Sequence, residues 1–194
     1  MEEALIKRAI ARDLSALEAL YDRYAPTLLS LCFRYCGNRD DAEDILHDGF
    51  IKIIQKIDTF RIRHDGSLEA WMSRIMVNTS LNFLRSRTKE RHFVDIDPII
   101  DRIDFNNEEE PAAEEIYLDI DRERIMELIC ELPSGYRTVF NLYVFEQYGH
   151  REIAKLLECS ENTSKSQLSK ARALLRKKMN QLVNVKQTQT YEKV

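Results

Sequence analysis

Residues 150–178 read HREIAKLLECSENTSKSQLSKARALLRKK. The pattern is a short helix, a tight polar turn and a longer basic helix, which is a helix-turn-helix. Ile153, Ala154 and Leu157 give the first helix one apolar face. Glu158, Cys159 and Ser160 make the turn, and Ser160 is the N-cap, since its hydroxyl can accept from a free amide of the next helix's first turn. The second helix starts near Glu161. It turns Lys165, Ser166, Ser169 and Lys170 outward and Leu168, Ala171 and Leu175 inward. Eight basic side chains (Arg151, Lys155, Lys165, Lys170, Arg172, Arg176, Lys177 and Lys178) stand against Glu152, Glu158 and Glu161, a net of +5 in a chain whose total is -4. A basic island in an acidic protein predicts a phosphate-facing surface. A helical hairpin with a solvated lysine face would carry the same charge.

Composition agrees with a helical chain. The 194 residues suffice for one or two domains, and 44% apolar residues can build a core. Only 5 glycines and 4 prolines argue against a strand-and-turn fold, so the expectation is all-α. The opening MEEALIKRAIARD lacks the long apolar segment of a signal peptide, and no apolar run is long enough to span a membrane. A cytoplasmic protein without membrane insertion is expected. Of the four cysteines, Cys32 and Cys36 share a helical face, but no second Cys or His pair completes a metal site. Buried free thiols are expected, with no metal and no cofactor.

Upstream of the helix-turn-helix the chain divides. In residues 1–90, Asp13 caps a helix in which Leu14, Leu17, Leu20, Tyr21, Tyr24, Leu28, Leu31, Cys32 and Tyr35 recur at three- and four-residue steps. Pro26 should kink or break that helix, and Gly37 closes it. Asp40 opens the next, with Glu43 as a capping-box partner and Ala42, Ile45, Leu46, Phe50, Ile53, Ile54 and Ile57 as its buried stripe. A polar break spans residues 61–67, and a further helix runs from about Leu68 to Ser86, with Leu68, Trp71, Met72, Ile75 and Phe83 apolar. In residues 92–115 nine acidic side chains face Arg102 alone, with two prolines and little periodicity, which reads as a flexible acidic linker. Helical patterning then resumes over 116–180. One helix ends near Glu131, Pro133-Ser134-Gly135 breaks the chain, and a helix from Tyr136 to about Gln147 leads into the helix-turn-helix. A disordered tail is expected over 181–194.

Three blocks in this order resemble a bacterial RNA polymerase sigma factor of the extracytoplasmic-function (ECF) group of the sigma-70 family. DAEDILHDGFIKIIQKIDTFR (41–61) resembles the acidic helix by which the family's region 2 grips the β′ clamp helices. SLEAWMSRIMVNTSLNFLRSR (67–87) resembles its promoter -10 reader, with the W-x-x-x-I-x-x-N core. LPSGYRTVFNLYVFEQYGHREIAKLLECSENTSKSQLSKARALLRKK (132–178) resembles region 4, the -35 reader. The resemblance implies two helical domains, region 2 over about 10–90 and region 4 over 116–180, joined by the acidic linker 91–115. It implies promoter-directed transcription initiation with assisted DNA opening, and no intrinsic catalysis. The implied partners are core polymerase (β′ clamp helices and β flap), promoter DNA and an anti-sigma factor, often membrane-bound.

The residues carry these roles chemically. Asp41, Glu43, Asp44 and Asp48 make one helix face negative, which suits a basic protein and repels DNA; an ordinary helix N-terminus also favours acids. By resemblance, Arg61, Gly66 and Ser67 belong to the loop that receives a flipped -10 base, and Asn78 stands where the family has a base-contacting asparagine. Its amide offers both a donor and an acceptor. Arg74, Asn78, Leu81 and Arg85 form one stripe, continued in charge by Arg87, Lys89 and Arg91. Trp71 could stack on a base, but its apolar neighbours favour core burial. Matching the family motif puts Lys165, Ser166, Ser169 and Lys170 in the major groove, with Arg172 and Arg176 reaching phosphate or the flank. Ser164 replaces an aliphatic residue common in the family, and Ser169 a larger one.

Two other classes have weaker support. A helix-turn-helix activator would not need the two upstream blocks, and it would dimerise on palindromic sites. His47-Asp48 is the dipeptide of HD-type metal phosphohydrolases, which need further histidines upstream; His64, His92 and His150 all lie downstream.

Overall fold

The computed structural model describes residues 2–61, 67–87 and 121–191, with side chains over 3–61, 68–87 and 121–182. The chain forms two compact units, residues 1–90 and 91–194. Among the described residues all regular structure is helical.

In the first unit, helix α1 (Glu2–Ile10) precedes the predicted helices and buries Ile6 and Ala9. Three longer helices follow: α2 (Leu14–Cys36), α3 (Arg39–Lys56) and α4 (Ser67–Arg87). They pack on one another in every pairing. The shared core includes Leu20, Leu28 and Tyr35 of α2, Ile45 and Ile53 of α3, and Leu68, Met72 and Met76 of α4. Asp13 caps α2 as expected, accepting from the amides of Ser15 and Ala16. Its carboxyl is held down at about 2, first by the hydrogen bond from Arg8. Gly37 closes α2 in the left-handed conformation, at φ 80°.

Two sequence expectations fail in this unit, and of the two outcomes expected at Pro26 one is ruled out. Pro26 does not break α2, which runs through it. Pro26 is exposed, so the carbonyl its ring leaves unbonded faces water, while buried Tyr24, Ala25 and Leu28 hold the helix on both sides of it. Leu14 does not join the core and is 76% exposed at the first position of α2. Asn38, rather than Asp40, caps α3: its Oδ1 accepts from the Asp41 amide at 2.9 Å, and its Nδ2 donates to the Asp41 carboxylate at 2.6 Å. The reciprocal pair is thus Asn38 and Asp41, two residues earlier than Asp40 and Glu43.

The second unit comprises α5 (Arg122–Cys130), α6 (Ser134–Phe140), α7 (His150–Leu157) and α8 (Glu161–Tyr191). Beyond Phe140 the chain continues as a wider π turn over Asn141–Phe145, so the helix expected to reach Gln147 ends earlier. Leu128, Ile129, Leu132 and Tyr136 pack with Ala171, Leu174 and Leu175 to form the core. Helix α8 continues to Tyr191 in place of the disorder expected from residue 181. The acidic linker lies outside the described residues.

None of the four cysteines forms a disulfide; Cys32 is buried, and Cys36, Cys130 and Cys159 are half-buried. Burial pushes the Cys32 thiol up to about 12, so it stays protonated.

Candidate nucleic-acid and protein interfaces

Helix α3 turns one face to α2 and α4 and leaves the other to solvent. Asp40, Asp44, His47, Asp48, Ile51 and Gln55 are all exposed and recur at helical spacing. Ile51, 55% exposed, is an apolar side chain within an acidic stripe and was not singled out from sequence. Its signal was present, since it falls outside the period of the buried Phe50 and Ile53. Glu43 is half-buried and paired with Arg39 at 2.8 Å. Asp41 does not belong to this face. It is buried, and it accepts from Arg87 of α4 at 2.5 Å as well as from Asn38. A carboxylate fits there because it meets two donors.

On α4 the solvent face carries Arg74, Asn78 and Arg85, all exposed. Leu81, expected on the same stripe, is buried, since the face it occupies is covered by the helical core. Asn82 takes its place on the exposed side, where its Oδ1 accepts from Arg85 at 3.3 Å. Trp71 is half-buried against Phe60, ring centres 5.4 Å apart. Arg61 is exposed but donates back to the carbonyls of Asp58 and Phe60. Gly66 lies outside the described residues, as do Lys89 and Arg91, and Ser67 opens α4.

The helix-turn-helix takes its predicted bounds. Glu158 ends α7 in the left-handed conformation at φ 55°, and Ser160 Oγ accepts from the Thr163 amide at 2.9 Å. On α8, Lys165, Ser166, Ser169 and Arg172 are exposed, whereas Lys170 is half-buried. Lys165 pairs with Glu161 at 2.9 Å, and Ser166 Oγ donates to the Thr163 carbonyl at 3.0 Å. Ser164, the departure from the family pattern, is fully buried, its Oγ 3.0 Å from His150 Nδ1. Two turns of α8 therefore expose polar and cationic side chains.

Among the described residues no cluster of three or more His, Cys, Asp or Glu could hold a metal, and no helix is long and apolar enough to cross a membrane.

Residues 20–90 match the Sigma-70 region 2 family and residues 122–175 the Sigma-70, region 4 family. The ECF RNA polymerase sigma-E factor of Haemophilus influenzae is 27% identical over 186 residues, covering 94% of this chain and 97% of that protein. RNA polymerase sigma factor SigV of Bacillus subtilis is 32% identical over 146 residues, covering 75% of this chain and 80% of that protein. The chain belongs to the ECF group of the sigma-70 family. Among solved structures it is similar to CnrH in complex with the cytosolic domain of CnrY, with TM-score 0.47 and 19% identity over 91% of this chain and 96% of that one. As an ECF sigma factor it directs RNA polymerase to specific promoters in transcription initiation. The two family matches fall one in each compact unit of this sigma factor, so α3 and α4 lie in region 2 and the helix-turn-helix in region 4.

Proposed function

We propose that this ECF sigma factor divides its work among three surfaces. The exposed face of α3, through Asp44, Asp48 and the rim residue Glu43, binds the β′ clamp helices of core polymerase. Asp41 contributes by holding α3 on α4 rather than by contact. The exposed face of α4, with Arg74, Asn78 and Arg85, reads and helps open the -10 element together with the Arg61–Ser67 loop. Helices α7 and α8 read the -35 element through Lys165, Ser166, Ser169, Lys170 and Arg172, and region 4 also engages the β flap.

The observation that carries this reading is the separation of charge: acids outward on α3, cations and amides outward on α4 and α8. One sign suits a protein partner and the other a nucleic acid. The protein acts without catalysis of its own, in the cytoplasm, and an anti-sigma factor, often membrane-bound in this family, holds it inactive.

Transcription from a library randomised across both elements, by core polymerase with and without the protein, tests the assignment. Selected templates should carry fixed bases at two separate sites. Lys165→Ala should alter the upstream preference alone. If it alters only the downstream element, the recognition helix is misassigned.

A further inference from the structure

The π turn Asn141–Phe145 packs against α7 and brings Tyr143 to a junction of three elements. On one side the Tyr143 ring stacks on the His150 ring, centres 4.7 Å apart and planes at 26°. On its other contact the Arg172 guanidinium sits 5.5 Å from the ring centre. His150 is in turn tied through Nδ1 to Ser164 Oγ at 3.0 Å. Ser164 and Arg172 both belong to α8, so one side-chain chain leaves the start of the recognition helix, crosses α7 and the π turn, and returns two turns further on.

We propose that Tyr143 is a positioning residue for -35 recognition, its ring held by His150 so as to pre-orient Arg172 toward the DNA. The inference rests on the reading of α8 as the -35 helix. Arg172 is exposed, and an unrestrained arginine there would lose most of its rotamer freedom on reaching a phosphate or base. A guanidinium parked on an aromatic face has lost part of that freedom beforehand. The wide turn is what makes this geometry: a π turn changes the facing of the residues within it, leaving Asn141 and Leu142 buried and Tyr143 half-buried beside α7. Ser164 completes the device. A buried hydroxyl needs a partner, and His150 supplies it. An aliphatic side chain at that position would pack equally well but would leave the His150 ring untied.

The test uses holoenzyme assembled with the full chain and a promoter selected by that holoenzyme from a library randomised across the -35 element. Affinity is measured over a salt series for Tyr143→Leu, Arg172→Ala, the pair together, Tyr143→Phe and Lys165→Ala. Tyr143→Leu should weaken binding about two- to fivefold, the range of an exposed cation–π contact. Arg172→Ala should lower the salt slope by about one if the contact is a phosphate. The double variant should bind no more weakly than Arg172→Ala, whereas Tyr143→Leu should add to Lys165→Ala. Tyr143→Phe keeps the ring face and should rescue most of the loss.

Additive losses from Tyr143→Leu and Arg172→Ala would overturn the proposal, because a ring that merely packs the domain acts independently of the arginine. A measurement on the unaltered protein guards against misfolding of the leucine variant: the Arg172 side-chain protons should show upfield ring-current shifts, and random-coil shifts would overturn the proposal. If Lys165→Ala and Arg172→Ala both leave affinity unchanged, the -35 reading itself falls. If both weaken it without coupling to Tyr143, only this inference falls.

Discussion

Asp41 and Asp44 are three residues apart on α3 and have different work. Asp44 points to solvent, where a carboxylate contributes little to stability. Asp41 is buried between Asn38 and Arg87. Reversing Asp44 and Asp48 together should weaken assembly with core polymerase while the unfolding free energy changes by no more than about 0.5 kcal/mol. Asp41→Ala should instead cost about 1–3 kcal/mol, because it removes the carboxylate that accepts from both Asn38 Nδ2 and Arg87, though the Asp41 amide keeps its bond to Asn38. Titrating core polymerase with each variant, alongside thermal melts, separates the two; a full-strength holoenzyme from the double reversal would make the acidic face a solvated one. Asn78 offers a second residue-scale test. It is exposed, so its amide is not bonded within the core. Asn78→Ala should leave the melting temperature and core binding near their original values and impair promoter opening. Unstacking a base costs a few kcal/mol, and a template pre-melted across the -10 element removes that cost. Activity should therefore recover on the bubble template; equal impairment on both templates would remove Asn78 from base reading.

At the scale of elements, the helix-turn-helix and the α3–α4 contact each turn on one backbone position. Glu158 adopts the left-handed conformation that costs a side-chain-bearing residue about 1–2 kcal/mol. Its side chain is exposed, so Glu158→Gly should relieve that strain and lose little packing. After the entropic cost of glycine, a net stabilisation of up to about 1 kcal/mol is expected, read as a higher midpoint in urea. A lower midpoint would mean that Glu158 makes a compensating contact. Gly49 is the opposite case. A Cβ there would meet Met76 Sδ at 2.2 Å, so the fully buried Met76 side chain would have to shift within the core. Gly49→Ala should destabilise the first unit by about 1–3 kcal/mol through overpacking, outweighing the roughly 0.5–1 kcal/mol that alanine adds to helix propensity. Chemical denaturation of the variant checks the sign.

At the scale of the whole molecule, a net charge of -4 with cations gathered on α4 and α8 predicts a factor that binds DNA poorly by itself. Free protein should bind promoter duplex far more weakly than holoenzyme does at physiological salt, which fluorescence anisotropy measures directly; tight, specific binding by the isolated chain would favour an independent activator. The same scale separates what was legible in the sequence from what was not. The sequence by itself determined the three long helices of the first unit, the Asp13 and Ser160 caps, the Gly37 stop, the helix-turn-helix and the order of the family blocks. Each depends on residues within a turn or two of one another, so chain-local geometry suffices. Side-chain facing was less legible. Leu14 and Leu81 fit their stripes equally well, yet one is exposed and the other buried. Pro26 left a kink or a break open on local grounds, and packing on either side of it carried the helix through. Asp41 was read with its acidic neighbours because its partner Arg87 is 46 residues away. The Tyr143, His150 and Arg172 stack likewise needed a π turn and two helices to meet. Only the tertiary structure decided these, because burial and pairing are set by which distant helix covers a face, and no local period encodes that.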